Sequence, residues 1–247
     1  MLSRKSLLIF INNMVAYVTG YIGLFFIARF MVRPDYNYGL VSWALGTVGV
    51  FAFISTIFGT AHQKRISEGQ AEGKCMGTYI SLKTASTIVM IGTIFTGLFI
   101  WINILGRGFE SPIDLNVLYI IILFFALKQI GQVGATTFIA KGMIAKREVI
   151  RFMDQTVPTI FIIYVALRGG QAIELAFTYV VGGSLMAITA IYLLREIKIE
   201  KPSWDMVRSY WTFGLPSFIS SGISQLGNKV DMVLVKLFWG ASNVGMY

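Results

Sequence analysis

Residues 115–140 read LNVLYIIILFFALKQIGQVGATTFIA, and Lys128 is the one charged side chain among them. A helix rises 1.5 Å per residue, so about 20 predominantly apolar residues span the ~30 Å hydrocarbon core of a bilayer. This stretch is long enough and apolar enough to do so. It therefore predicts a transmembrane helix, and the rest of the chain can be searched for more of them.

Six other stretches have the same character. The seven predicted spans are residues 7–31, 38–61, 78–105, 115–140, 149–167, 172–194 and 210–239. In the fifth span Pro158 interrupts the hydrogen-bond ladder, which predicts a kinked helix supported by its neighbours. The fold class expected is an all-α, polytopic transmembrane helix bundle.

The composition agrees with a bilayer protein. Of the residues, 55% are hydrophobic and 13% are charged, against about 25% charged in soluble domains. The net charge of +9 comes from short basic clusters between apolar runs, a pattern that membrane topology favours over nucleic-acid binding. One cysteine, Cys75, and one histidine, His62, argue against a disulfide, a metal centre or a catalytic site, and we expect no cofactor.

The basic residues predict the orientation. Thirteen of them fall at the amino terminus and in alternate loops, and three fall in the remaining loops. The larger set is Arg4, Lys5, Lys64, Arg65, Lys74, Lys141, Lys146, Arg147, Arg151, Arg195, Lys198, Lys201 and Arg208, and the smaller set is Arg33, Arg107 and Arg168. The positive-inside rule then places the amino terminus in the cytoplasm of a multi-pass cell-membrane protein.

The chain also contains a weak internal repeat. Residues 28–40 (ARFMVRPDYNYGL) align without a gap with residues 234–246 (LVKLFWGASNVGM), so that Asn37 falls on Asn243 and Gly39 on Gly245. Each segment ends a long odd-numbered span, as expected for membrane halves related by an axis along the membrane normal. We predict a six-helix lobe at 1–194, a cytoplasmic linker at 195–208, and the first helix of a second lobe at 209–247. The rest of that lobe is expected to be missing.

Two motifs carry a family resemblance. Residues 28–43 (ARFMVRPDYNYGLVSW) resemble the end of helix one, and residues 213–247 (FGLPSFISSGISQLGNKVDMVLVKLFWGASNVGMY) resemble helix seven, of lipid-linked oligosaccharide and polysaccharide flippases. These belong to the multidrug/oligosaccharidyl-lipid/polysaccharide exporter superfamily. Arg33 departs from the pattern, because the family more often has glycine there. The resemblance implies a transporter rather than an enzyme, with a polyprenyl pyrophosphate-linked oligosaccharide as substrate.

Polar residues inside the spans are the candidate site residues, since they are expensive in a bilayer and face the bundle interior by default. Lys128 lies in mid-span with Gln129 and Gln132 beside it. These three either form a cationic cavity wall for pyrophosphate and sugar hydroxyls or act as polar glue between helices. Arg29 and Asn13 are further candidates for contacting the substrate, although Arg29 could instead snorkel to the interface, as could Lys83.

A second polar stripe runs along the seventh span, where Asn228 and Asp231 share a face. Lys229 lies about 200° around the helix from Asp231, so it cannot neutralise that carboxylate within the helix. Asp231, with Asn228, either couples an ion or forms a salt bridge to another helix. His62 is expected at the membrane interface.

Three rival functions remain open at this point. One is a multidrug or cation antiporter of the same superfamily, resembling the multidrug and toxin extrusion proteins and having a more aromatic cavity. Another is a membrane glycosyltransferase, which would need acids or a metal site in a sizeable loop. The last is a scaffold that transports nothing.

Overall fold

A computed structural model describes residues 4–106, 108–109 and 111–246. Arg107 lies outside that description, as do the side chains of residues 217, 220–226, 228 and 229. The helices are α1 (Arg4–Phe30), α2 (Pro34–Ala52), α3 (Gly59–Ser67), α4 (Glu72–Phe99), α5 (Pro112–Ala140), α6 (Ile144–Gln155), α7 (Val157–Leu167), α8 (Ala172–Leu194), α9 (Trp204–Trp239) and α10 (Ala241–Met246). The described ranges contain no strand.

Six helical segments of the described chain are long and apolar enough to cross a membrane. They are Arg4–Phe30, Pro34–Ser67, Glu72–Ile104, Pro112–Ala140, Ile144–Leu167 and Ala172–Leu194. The predicted all-α polytopic bundle is confirmed. The seventh predicted span corresponds to α9, which has 36 residues but is more polar and is not one of these six.

Successive spans alternate in direction, which gives the bundle two ends. We call the end that carries residue 4 and the loops at 68–71, 141–143 and 195–203 the amino-terminal side. The distal side carries the described connecting residues 31–33, 105–106, 108–109, 111 and 168–171, and residue 240. Among the described helices, α5 and α8 make the most extensive contact with each other.

Two spans are broken, and in both the break has a local cause. The fifth span divides into α6 and α7 at Thr156, with Pro158 in the first turn of α7, which confirms the predicted kink. The second span tightens into a 3-10 turn at Phe53–Thr56. There the Lys83 ammonium donates to the Ser55 carbonyl at 2.6 Å, satisfying an oxygen freed by the break. The expectation that Lys83 snorkels to the interface is wrong, because its side chain is buried within the bundle.

The connection between α8 and α9 lies tightly against α4. The Glu200 amide donates to the Gly73 carbonyl at 3.0 Å, and a Cβ added to Gly77 would lie 1.7 Å from the Glu200 carbonyl oxygen. Ser203 then caps α9, which begins at Trp204, inside the stretch predicted as linker. Glycine at position 77 is thus what allows the backbone to approach this closely.

His62 is fully buried on the amino-terminal side, so the expectation of an interfacial histidine is wrong. Its Nε2 lies 2.9 Å from the Thr137 hydroxyl and its Nδ1 2.9 Å from the Tyr210 hydroxyl. The Tyr79 ring stacks on the imidazole with a 4.0 Å centroid distance. Each polar atom finds a partner, which is how a buried imidazole is tolerated, and the network joins α9 to α3, α4 and α5.

On the distal side α2 and α10 pack through a reciprocal glycine contact. A Cβ added to Gly39 would lie 1.9 Å from the Ala241 carbonyl oxygen, and one added to Gly245 would lie 2.0 Å from the Asp35 carbonyl oxygen. The repeat alignment pairs Gly39 with Gly245 and Asp35 with Ala241. Gly39 thus approaches Ala241, the counterpart of Asp35, and Gly245 approaches Asp35 itself. Such a pair of exchanged contacts is the pattern of an interface built around a two-fold axis.

Candidate functional site

A cavity of about 640 Å³ opens on the distal side between α2, α4, α5 and α9. Its walls are aromatic and aliphatic, with Trp43 and Phe51 from α2, Trp101 after α4, and Phe109 from the following loop. Such concave, mostly apolar cavities with a few convergent polar groups are the usual form of a small-molecule site. We call this the distal cavity.

A buried ion pair lies in the wall of the distal cavity. The Lys236 ammonium is 2.6 Å from the Asp114 carboxylate, and the two side chains are 7% and 1% exposed. Asp114 stands in the first turn of α5 and Lys236 in the last turn of α9. Each charge therefore lies at the helix end whose dipole favours it, and the pair bridges α9 to the first six spans.

Aromatic rings hold the ammonium from the other directions. Lys236 Nζ lies 3.5 Å from the centroid of the Trp43 ring and 5.9 Å from that of Phe109. A desolvated cation over the face of a tryptophan is stabilised by the ring quadrupole. The surroundings therefore fix the position of one positive charge inside an otherwise apolar chamber.

Two buried oxygens at this cavity lack hydrogen-bond partners among the described residues, Asp114 Oδ1 and Thr47 Oγ1. Thr47, like Asp114, lines the cavity. Buried polar atoms are usually satisfied, so each exception needs an explanation. A polar ligand or a water molecule in the cavity would supply the hydrogen-bond partners of these two oxygens.

The structure gives Lys128 an acidic partner. Its ammonium lies 2.7 Å from the Asp154 carboxylate of α6 and 5.2 Å from the Phe124 ring centroid. Gln129 is buried, and its side-chain oxygen has no partner in the described chain, while Gln132 is half-buried. Their predicted contact with substrate stays a prediction.

The other predicted residues lie apart from the distal cavity. Arg29 is exposed near the end of α1. Asn13 is half-buried, and its neighbour Asn12 makes the contact to α6, donating to the Glu148 carboxylate at 2.5 Å. None of the five predicted substrate residues lines the distal cavity.

Asp231 is half-buried in α9, and its carboxylate accepts a hydrogen bond from the Met232 amide at 2.8 Å. It lies five residues before Lys236 in the chain and does not line the cavity. The Asn228 side chain falls outside the described residues, so the predicted ion-coupling pair remains a prediction. Within the described ranges, no group of three His, Cys, Asp or Glu residues could hold a metal ion.

Sequence reasoning missed Asp114 as a site residue and left Lys236 unassigned, although a signal for both is present. Asp114 stands just before the fourth predicted span and Lys236 near the distal end of the seventh. Opposite charges at the same end of two spans are candidates for pairing. The sequence does not show that those two spans are neighbours.

Comparison with known proteins identifies a family. The family model described as polysaccharide biosynthesis protein matches residues 2–247, nearly the whole chain. No curated protein and no solved structure matched. The family match agrees with the apolar helix bundle and with the motifs at its first and seventh spans. The chain therefore belongs to the polysaccharide biosynthesis protein family, whose members are flippases of the multidrug/oligosaccharidyl-lipid/polysaccharide exporter superfamily.

Proposed function

We propose that this protein moves a lipid-linked oligosaccharide or polysaccharide repeat unit across the cell membrane by alternating access. The observation that carries the proposal is the distal cavity, which places one buried ion pair among aromatic walls between the first six spans and α9. Flat aromatic rings suit the C–H faces of sugars, and a lysine ammonium is a compact partner for phosphate oxygens. Family membership supports the same substrate class.

The reciprocal contact of Gly39 and Gly245 supports a two-lobe transporter. Their packing is what two copies of one element related by a two-fold axis would produce. In this proposal α9 and α10 begin a second lobe, a further carboxy-terminal half completes it, and substrate passes between the lobes. The thirteen-to-three distribution of basic residues supports a cytoplasmic amino terminus, so the distal side faces outward.

The Lys236–Asp114 pair is then a latch on the outward side. The substrate's pyrophosphate competes with Asp114 for the Lys236 ammonium, and the pair separates as the cavity opens. Separating two buried charges is unfavourable unless each finds a new partner. The anionic head group supplies one for Lys236, and water entering the opened cavity solvates Asp114.

The predicted residues of the first lobe have roles along the same path. Lys128 and Arg29 attract the pyrophosphate, and Gln129, Gln132 and Asn13 contact sugar hydroxyls. Lys128 can bind pyrophosphate only when its ion pair with Asp154 is broken. A Lys128→Met, Asp154→Asn double variant therefore distinguishes a substrate-binding lysine from an ion pair that only holds the helices together. If the pair is only polar glue, transport by the double variant matches the wild type, and if Lys128 binds substrate, transport stays low.

The proposal is tested with substitutions at the latch in the full reading frame. Lys236→Met and Asp114→Asn should both abolish surface glycan in a flippase-deficient cell, whereas Lys236→Arg keeps the charge and should retain part of it. The matched control is Lys146→Met, which removes the Lys146–Glu196 ion pair (2.9 Å) at the opposite end of the bundle. Full glycan export by Lys236→Met at normal protein levels would contradict the proposal.

A second candidate, export of cationic amphiphiles, is favoured by the aromatic lining of the cavity and by the acid within it. Against this, Lys236 already occupies the aromatic box as its cation. Efflux of a fluorescent cationic dye distinguishes the two. A cation exporter should gain efflux in Lys236→Met, because the variant leaves Asp114 and the rings to the dye.

A further inference from the structure

A second cavity lies far from α9, in a groove of about 570 Å³ between α1 and α6 on the amino-terminal side. Its wall is almost entirely apolar, with Val15 of α1 and Ala145 of α6 among the lining side chains. The polar members of the wall are Arg4, Asn12 and Glu148. Most of the apolar side chains are exposed. The groove therefore opens toward lipid or toward the space beside α1.

The length of the groove matches one leaflet. From Arg4 to Val15, α1 rises about 16 Å at 1.5 Å per residue, close to half of the ~30 Å hydrocarbon core. Arg4 lies at the end nearer the membrane surface. A ligand seated along the groove would have its polar end at Arg4 and its apolar part reaching toward the mid-plane.

A built polar network forms the inner wall. The Glu148 side chain, 4% exposed, accepts from Asn12 at 2.5 Å and contacts the Arg147 guanidinium. Oε2 of Glu148, which accepts from Asn12, also lies 3.7 Å from the Arg151 guanidinium, whereas Arg147 contacts Oε1. Arg147 and Arg151 exceed Glu148 by one positive charge at this level of the inner wall. Arg4 adds a further positive charge at the outer end of the groove, about 12 Å along α1 from Asn12.

We propose that this groove is a specific site for an anionic phospholipid, with one acyl chain in the apolar channel and the phosphate at Arg4. Neutralising the excess positive charge selects an anionic head group over a zwitterionic one. The channel ends near the mid-plane, so an acyl chain fills it, whereas a polyprenyl tail is far longer. The site is separate from the distal cavity and does not rest on the proposed transport cycle.

The test uses native mass spectrometry of the purified protein in detergent, with phosphatidylglycerol and phosphatidylcholine of identical chains as probes. The wild type should retain one phosphatidylglycerol at roughly fivefold higher affinity than phosphatidylcholine, the effect of one surface basic residue. Arg4→Gln should abolish that preference and Arg4→Lys should keep it. Equal binding of the two lipids by the wild type would overturn the proposal.

A second pair of variants tests the location. Ala145→Trp places a large ring in the channel and should lower phosphatidylglycerol retention at least tenfold. Val18→Trp adds the same ring at an exposed position of α1 that does not line the groove and should leave retention unchanged. Equal loss in both variants would show that the lipid contact is unspecific and would refute the assignment. Displacement of phosphatidylglycerol by equimolar undecaprenyl phosphate would show that the groove binds the cargo lipid and would also refute it.

Discussion

The buried ion pair of the distal cavity gives the sharpest prediction about stability. At the observed 2.6 Å between Lys236 and Asp114, the attraction is about 6 kcal/mol at an effective dielectric constant near 20. Desolvation of both ions offsets much of this. Removing one partner still leaves the other charged and buried, so Lys236→Met should lower the free energy of unfolding by about 3–5 kcal/mol.

A double-mutant cycle isolates this term. Lys236→Met combined with Asp114→Leu removes both charges, and the double variant should recover most of the loss seen in either single variant. The assay is thermal unfolding in detergent, followed by the monodisperse fraction on size-exclusion chromatography. Single variants within about 0.5 kcal/mol of the wild type, or losses that simply add in the double variant, would show that Lys236 and Asp114 do not stabilise the fold as a coupled pair.

Three further predictions concern packing, ion coupling and topology. Gly39→Ala should lower thermal stability, because its Cβ would clash with a carbonyl oxygen of α10, whereas Gly20→Ala, with open space around it, should stabilise by up to about 1 kcal/mol; equal shifts in melting temperature would contradict this. Asp231→Asn should remove the dependence of transport on the ion gradient while insertion stays normal, as vesicle uptake with and without the gradient measures; unchanged dependence would exclude ion coupling. On intact cells an impermeant thiol reagent should label a cysteine placed at Gly108 and should not label one placed at Lys74, both of which are exposed positions. The native Cys75 thiol is buried and should give no background. The reverse labelling pattern would overturn the topology.

Much of the fold could be predicted because the length and hydrophobicity that a membrane span requires are visible in the sequence itself. A span must be long and apolar wherever it lies in the bundle, so six of the seven predicted spans correspond to helices that meet that requirement. The kink before Pro158 was equally readable, since proline removes a backbone donor whatever surrounds it. The break at Phe53–Thr56 was not, because no proline marks it and its support, Lys83, comes from another helix.

The candidate site was less predictable, because it depends on which helices are neighbours. Lys128 and Asp231 stand out in sequence as charges within apolar runs, yet Asp154, which neutralises Lys128, lies on a different span. In the sequence Asp114 looks like an ordinary acidic residue in the first turn of a helix, and only the structure shows that Lys236 lies 2.6 Å from it. The basic residues that follow His62 in the sequence suggested a position at the membrane interface. Its burial is possible because Thr137 and Tyr210, which are far away in the sequence, form hydrogen bonds with both ring nitrogens.

Transport of a lipid-linked sugar by the reconstituted protein tests the proposed function. The full reading frame is reconstituted into proteoliposomes with a fluorescent polyprenyl pyrophosphate-linked oligosaccharide, and the fraction of sugar that becomes accessible to an added glycosidase is followed over time. We expect the wild type to move the inner-leaflet pool outward, and we expect Lys236→Met, at equal reconstitution, to leave that pool in place. Wild-type vesicles that leave that pool protected while they transport a cationic dye would show that the protein is a cation exporter and not a flippase.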